Sequence, residues 1–132
     1  MLEEGLSTFL RANAAIVAVL STRSYPVRLP QNVPLPAASY RRSGTSPEVL
    51  LDEDGLHRAI IEIAVWDAEY LNAKSVALVV RNELRRVEND LGGWVVRNVS
   101  WINEEDTYDE EAIGGSGLFG IVETFEILTE GA

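Results

Sequence analysis

Leu2, Leu6, Phe9 and Leu10 recur at helical spacing, which predicts a short amphipathic helix over residues 2–11. Asn13 reads as the cap of a second short helix carrying Ala14, Ile16, Val17 and Leu20. The pattern then breaks. Between Tyr25 and Pro36 lie four of the chain's five prolines, within eleven residues, so this stretch is neither helix nor interior strand. It predicts a rigid extended arm over residues 25–36 that joins the helical start to a sheet. Ala37–Ser43 suits a first strand, with Ser43-Gly44-Thr45-Ser46-Pro47 as its turn, while Glu48–Leu51 fits either a strand or a loop edge. Asp52-Glu53-Asp54-Gly55 turns the chain into a strand over His57–Trp66. Alternation there puts Ala59, Ile61, Ile63 and Val65 on one face and Ile60, Glu62, Ala64 and Trp66 on the other.

The clearest element follows. Asp67 is expected to cap a helix that runs to about Asn89, with Ala73, Val76, Ala77, Val80, Leu84 and Val87 as its apolar stripe. Lys74, Arg81, Glu83, Arg85 and Arg86 fall on its wetter side, and Leu91-Gly92-Gly93 stops it. Trp94–Asn103 reads as a strand with Val95, Val99 and Trp101 on one face. Residues 104–117 read as an acidic, mobile, hairpin-like loop that orders against a neighbouring molecule. Leu118–Leu128 is the last strand, with Phe119, Ile121, Phe125 and Ile127 aligned. The fold class is therefore α+β, in one domain over residues 1–132. About four strands form a mainly antiparallel sheet over residues 37–128, with the long helix and the short helices of residues 2–20 packed on it.

Both faces of the 57–66 strand are substantially apolar. That predicts a second face covered either by another subunit or by a layer made of the N-terminal helices. The inner face shows no polar constellation in this reading, which argues against an enzymatic or small-molecule cleft between sheet and long helix.

Composition narrows the picture. The absence of cysteine excludes a disulfide scaffold, a thiolate metal site and a cysteine nucleophile, and it fits a reducing compartment. No apolar run approaches the ~20 residues of a membrane span, and the acidic start Met1-Leu2-Glu3-Glu4 is unlike a signal peptide. The expectation is a soluble intracellular protein that involves no membrane. The net charge of −10 is uneven: residues 98–132 hold nine acids and no Lys or Arg. Such a surface repels phosphate, so it suits a basic partner or a passage that DNA crosses without adhering, or it serves only to solvate the protein.

Candidate chemistry is sparse. His57 stands without a nucleophile signature and reads as a satisfied or solvent-exposed histidine. Asp52-Glu53-Asp54 and Glu104-Glu105-Asp106 lack the alternating ligand spacing of a calcium loop and read as solvated turns. Gly114-Gly115-Ser116-Gly117 lacks the lysine that a phosphate cradle requires. No catalytic, cofactor or metal residue is assigned.

In order along the chain stand Asn13-Ala14-Ala15-Ile16, Arg23-Ser24-Tyr25-Pro26, Leu29-Pro30-Gln31 and Pro36-Ala37-Ala38-Ser39-Tyr40 followed by Arg41-Arg42-Ser43-Gly44. Gly55-Leu56-His57-Arg58-Ala59, Val65-Trp66, the helix steps Tyr70, Ala73, Val80-Arg81 and Leu84, and Asp106-Thr107-Tyr108-Asp109 complete the series. Over nearly its whole length the chain resembles the tail-completion (tail terminator, or tail-to-head joining) proteins of long-tailed phages and prophages. The segment Glu110-Glu111-Ala112-Ile113-Gly114-Gly115 looks longer than the usual loop of that family. The resemblance implies a virion structural protein without enzymatic activity. It implies a ring, usually hexameric, that caps the tail tube and docks onto the filled head, with host-cytoplasmic assembly and a final place at the head-proximal end of the tail. Implied partners are further copies of the chain, the tail tube protein and a head-completion or connector protein, with DNA only passing through the lumen. A minor tail or neck component at another ring position is the alternative within the same machine. Candidate subunit or partner contacts are Tyr25, Arg28, Arg41, Arg42 and Tyr108, together with the acids Glu104, Glu105, Asp106, Asp109, Glu110 and Glu111.

Overall fold

Helical spacing at the start of the chain puts Leu2, Leu6 and Leu10 on one side of α1 (Leu2–Ala12), where all three are fully buried. The Asn13 side-chain oxygen accepts from the Ile16 amide at 3.1 Å and so opens α2 (Ala14–Leu20). In this computed structural model, residues 1–47, 57–113 and 116–129 are described. Six strands form one sheet: β1 (Ser24–Pro26), β2 (Ala37–Pro47), β3 (His57–Asp67), β4 (Asp90–Leu91), β5 (Trp94–Ile113) and β6 (Ser116–Thr129). Their order is β1-β2-β3-β6-β5-β4, an open half-barrel in which only β1 with β2 is parallel.

α3 (Tyr70–Arg85) connects β3 to β4 and lies on one face of the sheet. Its stripe of Ala73, Val76, Ala77, Val80 and Leu84 packs into one core with Ile61, Ile63, Phe125 and Ile127. Leu2, Leu6, Leu10, Ile16 and Leu20 belong to the same core, so all three helices cover the same face. The N-terminal helices therefore do not form a second layer over the other face of the sheet. Among the described residues no helix covers it, and Ile60, Glu62 and Trp66 remain half-exposed there.

The sheet is α+β as expected, but it has six strands rather than about four, and it is mixed. Tyr25 and Pro26 lie in β1 instead of a free arm, because Ser24–Pro26 pairs with Ala38–Tyr40. A proline is tolerated in an edge strand, where a missing amide donor leaves no ladder bond unmade. Ser43–Pro47 is no turn: pairing to β3 continues to Pro47↔His57, past a register shift between Arg42 and Gly44. Glu48–Leu51 and the Asp52–Gly55 turn lie outside the described residues.

Asp67 does not cap α3. The helix starts at Tyr70 with Glu69 at its cap position, and the Asp67 carboxylate instead accepts from the Asn72 amide. The helix also ends at Arg85 rather than near Asn89, since Asp90 and Leu91 are drawn into pairing with β5. The largest correction concerns the acidic segment. Residues 104–113 are strand, paired to β6 through Asp109↔Leu118 and Ile113↔Ser116, and not a mobile loop. Acids are poor strand formers in general, yet charge on an edge strand keeps it from pairing indiscriminately.

Candidate functional site

Strand alternation sorts the acids of β5 onto two faces. The register Glu104↔Glu123 and Asp106↔Ile121 turns Glu104 and Asp106 toward α3, while Glu105 and Asp109 face the other way. On the helix side Lys74 Nζ donates to Glu104 at 2.7 Å and to Asp106 at 2.8 Å, and the Tyr70 hydroxyl also donates to Asp106. The bonds to Asp106 and Glu104 hold Lys74 well above the ordinary lysine range. The bonds from Lys74 and Tyr70 keep Asp106 below the ordinary carboxylate range. Glu104 is lowered too, first by its hydrogen bond with Glu123 and then by Lys74.

Glu123 is the unexpected member. It is fully buried, directly opposite Glu104, and accepts from Trp101 Nε1 at 2.8 Å. Burial, reinforced by the facing Glu104 carboxylate, pushes Glu123 up to about 8, so near neutral pH it holds a proton. Arg81 completes the group: its guanidinium lies 4.7 Å from the Trp101 ring centre and 3.7 Å from Glu104. The inner face thus does hold a polar constellation, against the expectation from sequence. Lys74, Arg81, Glu104, Asp106 and Glu123 tie α3 to the β5–β6 hairpin. Its ion pairs join helix to hairpin, so its chemistry is structural: it fixes the hairpin against the helix.

The opposite face carries the open surface. Residues Val27–Gln31 of the arm, Ser39, Trp66 and Asp109 line a groove of about 420 Å³. Trp66 lies in its floor and donates to Ser39 Oγ at 3.1 Å. Its ring rests on Gly120, where an added Cβ would stand 2.5 Å from the ring. Gly120→Ala is therefore expected to lift the ring and break the bond to Ser39. The check is the Trp66 indole proton resonance, and an unshifted signal would show that the ring tolerates the methyl group.

The structure scatters the remaining sequence-derived candidates. Arg28 and Asp109 reach the same groove from distant parts of the chain. Tyr25 lies beneath the Arg11 guanidinium at 5.9 Å. Arg41 pairs with Glu62 at 3.0 Å and Arg42 with Glu3 at 2.9 Å, so both are engaged within the chain. Tyr108 packs on Phe119 with ring centres 4.9 Å apart. Glu105 and Glu110 are exposed, and the Glu111 side chain lies outside the described residues. The acids from Glu104 onward are thus not uniformly uncompensated, because Lys74 neutralises part of that charge.

Sequence reasoning missed Lys74 and Glu123 as partners. The signal was present: Glu123 sits between Ile121 and Phe125 in the inward register of an otherwise apolar face. Among the described residues no group of three His, Asp or Glu is placed to hold a metal ion. No described helix is long and apolar enough to cross a membrane.

No curated protein matches the sequence. The fold is similar to a chain in the solved virion of a native gene transfer agent particle, with a TM-score of 0.66 at 19% identity, covering 96% of this chain and 92% of that one. Residues 4–130 match the family described as tail completion protein gp17. With nearly its whole length matched, and with the fold that a virion chain also adopts, this protein belongs to the tail completion protein gp17 family of phage structural proteins.

Proposed function

We propose that this chain forms a ring, a hexamer, that closes the head-proximal end of a phage tail tube and presents the surface to which the head is joined. Family membership supports this reading, and the observation that carries it is the half-barrel itself. All three helices lie on one side, which leaves the other face and both strand edges to partners. Those partners are further copies of the chain, the tail tube protein and a head-completion protein. The chain acts in the virion after assembly in the host cytoplasm. Immuno-electron microscopy of purified tails is expected to show it at the head-proximal end, and label along the tube or at the distal tip would refute the placement.

The exposed acids have a role in the same reading. Glu105, Asp109 and Glu110 line the DNA passage or the docking rim, whereas Glu104 and Asp106 serve the Lys74 network. Replacing the first three by their amides is expected to slow DNA ejection through the rings that form if they face the lumen, through a salt-dependent drag on phosphate. It is expected to reduce head joining if they form the rim. Unchanged ejection and unchanged joining would reduce these acids to a solubilising surface. An enzymatic or small-molecule-binding α+β domain receives no support from the packed helix–sheet interface, where Val76, Val80 and Leu84 fill the space that a cleft would need.

A further inference from the structure

The two edges of the sheet are built alike and charged oppositely. At one edge, the short β1 covers β2 only from Ala38 to Tyr40. At the other, the two-residue β4 covers β5 only at Trp94 and Val95. Each long strand therefore runs on beyond its short cover, and main-chain donors and acceptors at such an edge are ready to meet another strand.

Charge distinguishes the edges. Beside β1, the guanidinium of Arg11 donates to the Ser24 carbonyl and that of Arg23 to the Pro36 carbonyl, each at 2.8 Å. These two cations are held by carbonyls rather than carboxylates, so their charge is not neutralised. Arg28, exposed just after β1, makes no ion pair among the described residues. Along β4 and β5 acids outnumber the one exposed base, Arg97: Asp90, Glu105 and Glu110 are exposed and make no ion pair among the described residues. Each edge also offers an exposed apolar side chain, Val27 at the basic edge and Ile102 at the acidic one.

We infer that the acidic β5 edge of one copy docks along the basic β1–β2 edge of the next. Two different surfaces meet in such a contact, so it is head-to-tail, the kind that generates a closed ring when the rotation per subunit fits. This inference rests on the ring reading above and specifies which surfaces make the ring. A two-fold dimer is disfavoured, because it would set like charges against each other.

Two variants test it. Arg11→Glu with Arg28→Glu makes both edges acidic, and Glu105→Arg with Glu110→Arg makes both basic. Each variant alone is expected to raise the concentration for half-assembly by about tenfold or more, whether in sedimentation velocity or on purified tail tubes. Mixing the two in equal amounts is expected to restore rings, because acidic-edged and basic-edged copies alternate around an even-numbered ring. Restoration also shows that both variants fold. Rings that form equally well from either variant alone would overturn the edge contact and leave the ring standing. So would a mixture of two folded variants, confirmed by circular dichroism, that fails to assemble while the unaltered chain does. An unaltered chain that forms no ring, even on tubes, would overturn the ring reading and this contact together.

Discussion

Leu84→Ala is expected to lower the free energy of unfolding by about 2–5 kcal/mol. Leu84 is fully buried near the end of α3, in the same core as Leu2, Leu6, Ile16 and Phe125. α3 packs on the sheet and against α2, which packs in turn against α1. The Asn13 amide also reaches Glu83, the neighbouring residue, at 3.2 Å. A cavity at this position is bounded by elements from both ends of the chain, so no single segment can relax to fill it. Urea denaturation of the folded protein measures the change. A loss below about half a kcal/mol would place Leu84 outside the core, since surface substitutions fall in that range.

Glu123→Gln is expected to remove most of a fall in stability between about pH 5 and pH 8. A carboxyl that ionises less readily in the folded chain than in the unfolded one favours folding while it is protonated in both. Once pH exceeds the unfolded value, the unfolded chain releases the proton first, and stability falls until the folded value of about 8 is passed. The loss over that window is on the order of 2–4 kcal/mol. Glutamine keeps the acceptor for Trp101 Nε1 and supplies a donor toward Glu104, as the protonated acid does. Glu104 and Asp106 act in the opposite sense, because their lowered values make their contribution disappear on acidification. Thermal unfolding of both proteins at pH 5 and pH 8 separates the terms. Equal pH slopes in the two proteins would rule out Glu123 as the group responsible.

Legibility in the sequence tracked burial. The stripe of α3 and the inward sets of β3 and β6 could be read because apolar residues recur at the period of their backbone, and the structure buries all of those residues except Val87, beyond the helix end, and Phe119, which stay partly exposed. What escaped was held by pairing between distant segments. β1 and β4 are three and two residues long and exist only because β2 and β5 lie beside them. The acidic end of β5 shows no apolar alternation, so nothing local marks it as a strand; β6 imposes the conformation. Asp67 looked like a helix cap because its type suits one, but Asn72 offered its carboxylate a side-chain partner instead. The family resemblance was legible across the chain because it rests on ordered short motifs, and the match over residues 4–130 shows it. The groove was not, since Arg28 and Asp109 meet only once the sheet has formed.

The close docking of the first helix bears on the order in which the chain folds. Gly5 and Gly92 meet backbone to backbone: a Cβ at Gly92 would lie 2.0 Å from the Gly5 carbonyl oxygen, and one at Gly5 would lie 2.4 Å from the Leu91 carbonyl oxygen. Gly92 also adopts a φ of 57°, which other residues resist. The seat of α1 is therefore a turn that lies far along the chain from it. Until the turn at Gly92 exists, α1 remains an amphipathic helix with its leucines uncovered, and helices this short are marginal alone. The helix and its latch are made far apart in synthesis, so the leucines of α1 stay uncovered through all the chain made between them.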